Sequence, residues 1–456
     1  MTMITMLKIK KNKKPIQLSD HFSYGKMIRF TLPSICMMIF TSIYGIVDGF
    51  FVSNYVGSVP FAALNLAMPF IMILSAFGFM FGSGGTALVS MRLGMGEKKR
   101  ANETFSLLTY ALLISGIILG IVGAVIAPQM CRLLGATDEM LPFAVQYTRI
   151  NMLSLPLFML QRMFQSFMIT AERPHMGLVV TVISGCTNMV LDWLFVGVFR
   201  WGLAGAAYAT VISEYAGGLI PLLFFLMPNN SPLHLGKTHF HWRDIAKAST
   251  NGSSELLSIS ASSIIGMLYN LQLLKYAGTD GVAAYGVIMY VNFIFTGIYF
   301  GYTMGISPVI GFHYGAENEN ELKNLFKSSI RMLIISSFVI TVLSELASRL
   351  LVNIFVGYDL DLMALTVRGF RIYSIAFLFM GINIFGSGFF TALNNGGISA
   401  MLSVARSLVL QLIFIYLLPF LLGTDGLWLV VVVSDGLCLL LTFYMLARYR
   451  NKYHYI

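Results

Sequence analysis

The sequence predicts an all-α polytopic membrane protein: twelve transmembrane helices in two six-helix lobes related by a parallel pseudo-two-fold repeat. Three observations predict it. Charge is scarce, apolar runs of membrane-spanning length recur twelve times, and the second half repeats the first at a fixed spacing. Of 456 residues, 57% are hydrophobic and 11% charged, where a soluble domain carries about 25% charged residues. Aqueous burial does not absorb that much apolar sequence.

About twenty apolar residues cross a bilayer. Gaps, prolines and charges bound spans near 27–51, 59–82, 105–127, 142–168, 176–199 and 203–227, then 254–274, 282–308, 329–351, 364–391, 400–422 and 426–446. The first span carries Pro33, which removes a backbone hydrogen bond and favours a bend. Fifteen residues on it carries Asp48. An acid in a membrane helix costs a few kcal/mol and faces protein or water rather than lipid. Asp48 is therefore either a working carboxylate or a wetted one near the outer interface. No charge occurs from Gly49 to Met91, so a turn near Gly57-Ser58-Val59-Pro60 divides spans 1 and 2.

Bases gather in the even-numbered loops: Arg92, Lys98, Lys99 and Arg100 after span 2, Arg173 after span 4, Lys237, Arg243 and Lys247 after span 6. Lys323, Lys327 and Arg331 follow span 8, while the odd loops hold acids such as Asp138, Asp280 and Asp359. The positive-inside bias places both termini in the cytoplasm of a cytoplasmic (inner or plasma) membrane. The same placement accounts for the net charge of +10 and argues against a nucleic-acid partner. The division reads as an N-terminal tail 1–26, an N-lobe 27–228, a linker 229–249, a C-lobe 250–447 and a tail 448–456. The opening Met-Thr-Met-Ile-Thr resembles a cloning-vector leader, and no cleavable signal peptide is visible. Cys36, Cys131, Cys186 and Cys438 lack metal-ligand spacing and read as small buried hydrophobes. His234, His239 and His241 lie in the linker, which reads as solvated chain rather than a metal site.

Shifting the chain by 221 residues lays FMLQRMFQSFMITA (158–171) on FMGINIFGSGFFTA (379–392) and YVGSVPFAA (55–63) on YAGTDGVAA (276–284). Gly84 then meets Gly305, Gly94 meets Gly315 and Gly205 meets Gly426. Each repeat holds six spans, so both halves enter the membrane in the same sense, a known transporter plan.

FGSGGTALVSMRLGMGEKKRANETF, its partner MGISPVIGFHYGAENENELKNLF, the TLPS of span 1 and Asn188-Met-Val-Leu-Asp192 of span 5 resemble the MATE (multidrug and toxic compound extrusion) transporters. The resemblance runs from Met27 to Arg448. It implies a secondary active efflux antiporter exporting organic cations and amphipathic compounds in exchange for H⁺ or Na⁺. Alternating access, no cofactor beyond the coupling ion, small cationic drugs as guests and a monomer in the bilayer go with it.

In that frame Asp48 becomes an ion-coupling carboxylate. Asn188 and Asp192 share a helix face, and with Asp48 they offer oxygens to Na⁺, or the two acids share a proton. Interhelical polar bonding is the plainer reading of the pair. Thr210 resembles a further hydroxyl ligand of the family. Glu255, the repeat partner of Ser34, resembles a C-lobe functional acid of some members, or is an acid favoured by a helix N-terminus. Tyr269 stands opposite Asp48, so the repeat lacks a second acid there. Glu214 and Asp435 match at the same shift and either line the cavity or pair with Arg406 or a hydroxyl. Pro33 marks the element expected to move.

No GxxxxGK[ST] loop, HExxH or GxSxG is present, which argues against ATP-driven transport within this chain and against an enzyme. A lipid-linked saccharide flippase is the alternative within the superfamily; it calls for a cationic cavity. A metal-dependent intramembrane transferase calls for paired DDxxD acids, which the chain lacks.

Overall fold

Inside a bilayer every backbone amide and carbonyl needs a partner within the protein, and a helix supplies one for each. The computed structural model describes residues 16–357 and 359–456, with the side chains of Ile46, Asp48 and Ser58 outside the described part. The N-lobe begins with α1 (Tyr24–Tyr55), α2 (Ser58–Gly94) and α3 (Lys98–Leu133). Span 4 is α4, made of Leu141–Met152 and Leu155–Thr170. Then come α5 (Pro174–Asp192), prolonged by a π-helical turn Trp193–Val198, and α6 (Gly202–Leu226).

The helical stretch Trp242–Gly315 has 74 residues, about 110 Å at 1.5 Å per residue. It is two helices, α7 before and α8 after Gly278, whose φ of 63° reverses the chain. They are followed by α9 (Glu319–Val356) and by α10, in two pieces, Leu360–Ser374 and Phe377–Ala392, bent by 48°. Next is α11, made of Gly396–Val404, a π turn Ala405–Val409, and Leu410–Leu422. The last is α12 (Thr424–Tyr453). Among the described residues nine helices are singly long and apolar enough to cross a membrane, ten with the bent pair. Dividing α7 from α8 and joining the two short pieces of α4 gives the twelve expected.

The repeat is visible in the backbone. Gly57 and Gly278, Gly96 and Glu317, and Gly202 and Gly423 all take positive φ, at a spacing of 221. From the second piece of α4 to the start of α5 the register is one residue longer: Leu155 answers Phe377, and Glu172 (φ 60°) answers Asn394 (φ 57°). Consistently, α5 starts at Pro174 and α11 at Gly396. The segment 158–171 therefore matches 380–393, one residue from the alignment its identities suggest. Gln161, not Arg162, is the counterpart of Asn383.

The lobes meet where the repeated glycines lie. A Cβ on Gly84 (α2) would overlap the Ala248 carbonyl and Gly252 of α7. Its counterpart on Gly305 (α8) would overlap Ser34 and press on Thr31 of α1. At the 221 spacing Thr31 answers Gly252, so this is one crossing made twice. Near the base-rich end Gly94 and Gly315 hold α2 against α8, each facing the other helix's backbone. Small residues permit such approach where lipid supplies no hydrophobic drive. Helix α1 continues as one helix through Pro33, flanked by the α8 contacts.

Two further ties close this end. Arg92 and Asp244 form a two-point ion pair between α2 and α7, at 2.6 and 2.9 Å. Residues 16–23 form a strap. The Leu18 amide donates to Glu172 of the N-lobe at 2.8 Å, and the Phe22 amide donates to Glu321 of the C-lobe at 2.9 Å. His21 adds an Nδ1 contact of 2.6 Å to Glu321, and Leu18 and Phe22 are buried.

The linker is exposed at His234, His239 and His241, but it is not solvated throughout. Leu233 is fully buried, and the His234 and Gly236 backbone amides donate to Asn102 and Ser106 of α3. Part of the polar run is thus docked on a helix flank. Helix α7 starts at Trp242, inside the stretch expected as linker, and α12 carries Arg448 and Arg450 on its last turns.

Gly84→Val is expected to cost about 1–3 kcal/mol through overpacking and to part α2 from α7. A spin-label pair at their base-rich ends reads the longer distance; an unchanged distance and Tm would set this crossing aside as a constraint. At Glu172 burial pushes the carboxyl above its ordinary range, the Leu18 amide pulling the other way. A raised pKa means that Glu172 contributes stability to the fold that is fully present below the ordinary carboxylate value and lost as pH rises through the raised one. Tm should therefore fall as pH rises through that range, and Glu172→Gln should flatten that part of the Tm–pH profile.

Candidate functional site

Between the lobes lies a cavity lined by side chains of both. Met38, Phe79, Phe300 and Met304 give it thioether and aromatic faces, and hydroxyls such as Ser83, Ser166, Thr303 and Ser387 interrupt them. Such a lining holds an apolar body loosely and satisfies scattered polar atoms. Its charged members are Glu255 from α7 and Arg406 from the π turn of α11.

Glu255 is in the lining. Glu214 and Asp435, for which the sequence left open a place in the lining or a partner inside the lobe, lie behind it inside the lobes, as does Tyr269. Glu214 is 6% exposed and accepts from the Ser154 hydroxyl at the break in α4. Asp435 is 1% exposed; Asn383 donates to it at 3.0 Å, and the Arg406 guanidinium forms an ion pair with it at 3.8 Å. A carboxylate inside a lobe is held by a donor, and these two sit where their donors are. Tyr269 is buried and stacks on Tyr285, ring centroids 4.8 Å apart.

In the N-lobe Asn188 and Asp192 are 2% and 0% exposed, one turn apart at the end of α5. The Ser184 hydroxyl donates to the Ser213 carbonyl of α6 at 2.7 Å. One turn from that bond, in opposite directions along the chain, Asn188 and Thr210 come level. Thr210 is half-buried, and its hydroxyl donates to its own helix at Ala206, 3.1 Å away. On the other flank Phe40 and Tyr44 of α1 lie against Gly185. One turn beyond, in helices that run the same way, come Asp48 on α1 and Asn188 and Asp192 on α5. The backbone thus brings the four positions to neighbouring turns, with Asp192 one turn beyond Asn188; the Asp48 side chain lies outside the described residues. At Asp192 the α-helix gives way to the π turn Trp193–Val198, a substitution frequent at functional sites.

Sequence reasoning left out Arg162, 7% exposed within α4. Its guanidinium packs on the rings of Phe79 at 5.1 Å and Phe158 at 4.8 Å. Cation–π contact replaces part of its hydration. The signal was available: a lone arginine within an apolar span costs about 2.5–3.5 kcal/mol to insert, which marks Arg162 and Arg406 alike. Among the described residues no three His, Cys, Asp or Glu side chains form a group able to hold a metal.

The MatE family model matches the chain twice, over residues 33–194 and 256–417. "Multidrug export protein MepA" of Staphylococcus haemolyticus (strain JCSC1435) is 23% identical over 446 residues, 97% of each chain. Among solved structures, a MATE protein in complex with MaL6 superposes with a TM-score of 0.89 at 20% identity, covering 95% of this chain and 98% of that one. An outward-facing multidrug resistance MATE family transporter of the MOP superfamily gives 0.88 at 21%, covering 96% and 98%. Two matched halves, together well over half of the sequence, settle the family: the chain belongs to the MatE family of membrane transporters, and its work is transport rather than catalysis.

Proposed function

We propose that the chain exports organic cations and amphipathic compounds from the cytoplasm in exchange for H⁺ or Na⁺, with the N-lobe acids as the coupling site. The observation that carries the reading is the buried pair Asn188 and Asp192, on the α5 turns that neighbour the backbone positions of Asp48 and Thr210. Oxygen ligands in that arrangement suit a hard monovalent cation, and two carboxylates suit a shared proton. Either ion shifts the lobes only by binding one state better than the other. The cavity's mixed lining suits guests of varied shape with a cationic head, and the curated relatives named as multidrug exporters support that class of guest.

The close contacts of the two lobes lie toward the base-rich end, where Arg92–Asp244 and the strap add to the glycine crossings. With that end cytoplasmic, this is a state closed to the cytoplasm, in which a guest leaves outward. Both termini and the linker then lie in the cytoplasm. Helix α1, gripped by α8 on either side of Pro33, is the element whose movement would link the coupling depth to the crossing. The saccharide-flippase alternative is disfavoured by a cavity with one acid and one base rather than a cationic cluster.

Organic-cation efflux from vesicles, under separate proton and sodium gradients, tests the coupling. Asp48→Asn and Asp192→Asn should each lower gradient-driven efflux by about tenfold or more, the scale of a coupling energy of 1–3 kcal/mol. Gradient-driven efflux untouched by both substitutions would sink the N-lobe site. For orientation, a cysteine placed at Lys237 in a cysteine-free background should label from the cytoplasmic side alone; labelling from outside reverses the topology.

A further inference from the structure

The two lobes share a scaffold but not its charge. At the 222 spacing set by the starts of α5 and α11, Gln161 answers Asn383 and Ser184 answers Arg406. At the 221 spacing Glu214 answers Asp435. In the N-lobe this trio is neutral apart from its acid: Gln161 donates to the Ser184 hydroxyl at 3.1 Å, and Ser184 donates to a carbonyl. In the C-lobe the same place holds a guanidinium.

That guanidinium is built in. Asn383 donates to the carbonyl and the carboxylate of Asp435, at 2.8 and 3.0 Å, while its own oxygen accepts from Thr442 at 3.0 Å. This fixes the carboxylate. Arg406 reaches the same Oδ1 at 3.8 Å with its side chain 19% exposed, and it lines the cavity together with Glu255. The π turn Ala405–Val409 carries it, and the Gln411 side-chain amide donates to the Arg406 carbonyl at 3.3 Å. One base thus shares the cavity with one carboxyl and contacts a second behind it.

We propose that Arg406 is a resident cation of the C-lobe: tethered by its side chain beside Asp435 and Glu255, it holds the place that a mobile monovalent cation or a guest's cationic head would take. It sets how tightly organic cations bind and keeps cation exchange out of this lobe. The second half of that statement rests on the N-lobe coupling reading; the effect on affinity does not. The guanidinium is held at Asp435 by a single contact at 3.8 Å and makes no ion pair with Glu255 among those the structure shows, so a guest's cationic head reaches Glu255 in competition with Arg406 for the same space.

Equilibrium binding of tetraphenylphosphonium to the purified full chain tests this without any gradient. Arg406→Met should bind the cation roughly tenfold more tightly, the size of one unscreened charge contact in a partly dry site. Arg406→Lys, which keeps the charge, should stay near wild type. Removing one member of a buried pair can unfold a protein, so Arg406→Met/Asp435→Asn, which removes both, is the second variant. It should also gain affinity, and adding Glu255→Gln should abolish the gain. Unchanged or weaker binding in the folded double variant, or a gain that survives Glu255→Gln, overturns the proposal. Loss or persistence of gradient-driven efflux in Asp192→Asn speaks to the coupling site alone, so the two readings fail separately.

Discussion

The lobes meet backbone to backbone, and the rest of the architecture hangs on that approach. Lipid is as apolar as leucine, so helices in a membrane gain little by hiding side chains from it; they gain by packing closely. Gly84 against Gly252 and Gly94 against Gly315 let α2 lie against α7 and α8 without an intervening Cβ. The cavity exists because the same helices diverge beyond these crossings and leave Phe79, Phe300 and Met304 facing a shared space. The ion pair of Arg92 with Asp244 sits at the same end. Largely desolvated, it adds geometric selection more than stability.

Much of this was legible in the sequence, for definite reasons. Span length is imposed by bilayer thickness, so twelve apolar runs could be counted. The repeat showed because a Cβ at Gly84, Gly305, Gly94 or Gly315 would overlap the facing helix, so both copies carry glycine at these two places. The one-residue slip near Glu172 was hidden, since Phe, Met and Thr recur often enough in apolar helices to align convincingly one position off. The strap and the docked linker were also hidden. Both are held by backbone amides of Leu18, Phe22, His234 and Gly236, and every residue but proline has an amide, so no side-chain pattern announces them.

Charge is where the pseudo-symmetry stops. The depth that carries Asp48 in one lobe carries Tyr269 in the other, buried in an aromatic stack with Tyr285. The position that carries Arg406 answers Ser184. Glu214 and Asp435 do correspond, yet one is held by a serine hydroxyl and the other by an amide and a guanidinium. A duplicated scaffold supplies equal depths and helix angles; the ionisable groups at those depths, and the donors that face them, differ from lobe to lobe. Acids counted along the sequence did not separate the two kinds, because the distinction lies in the donor that faces each one.

The strap has a consequence for any state in which the base-rich end opens. Glu172 and Glu321 belong to different lobes, and residues 18–22 span them with amide bonds to each. Parting the lobes breaks one anchorage. The N-terminal segment thus behaves as an intramolecular ligand for one of two shapes, present at the high effective concentration of a short tether. Its affinity enters the ratio of the two populations as a constant factor, independent of any guest. A chain without it would distribute differently between them while every residue of the cavity stayed the same.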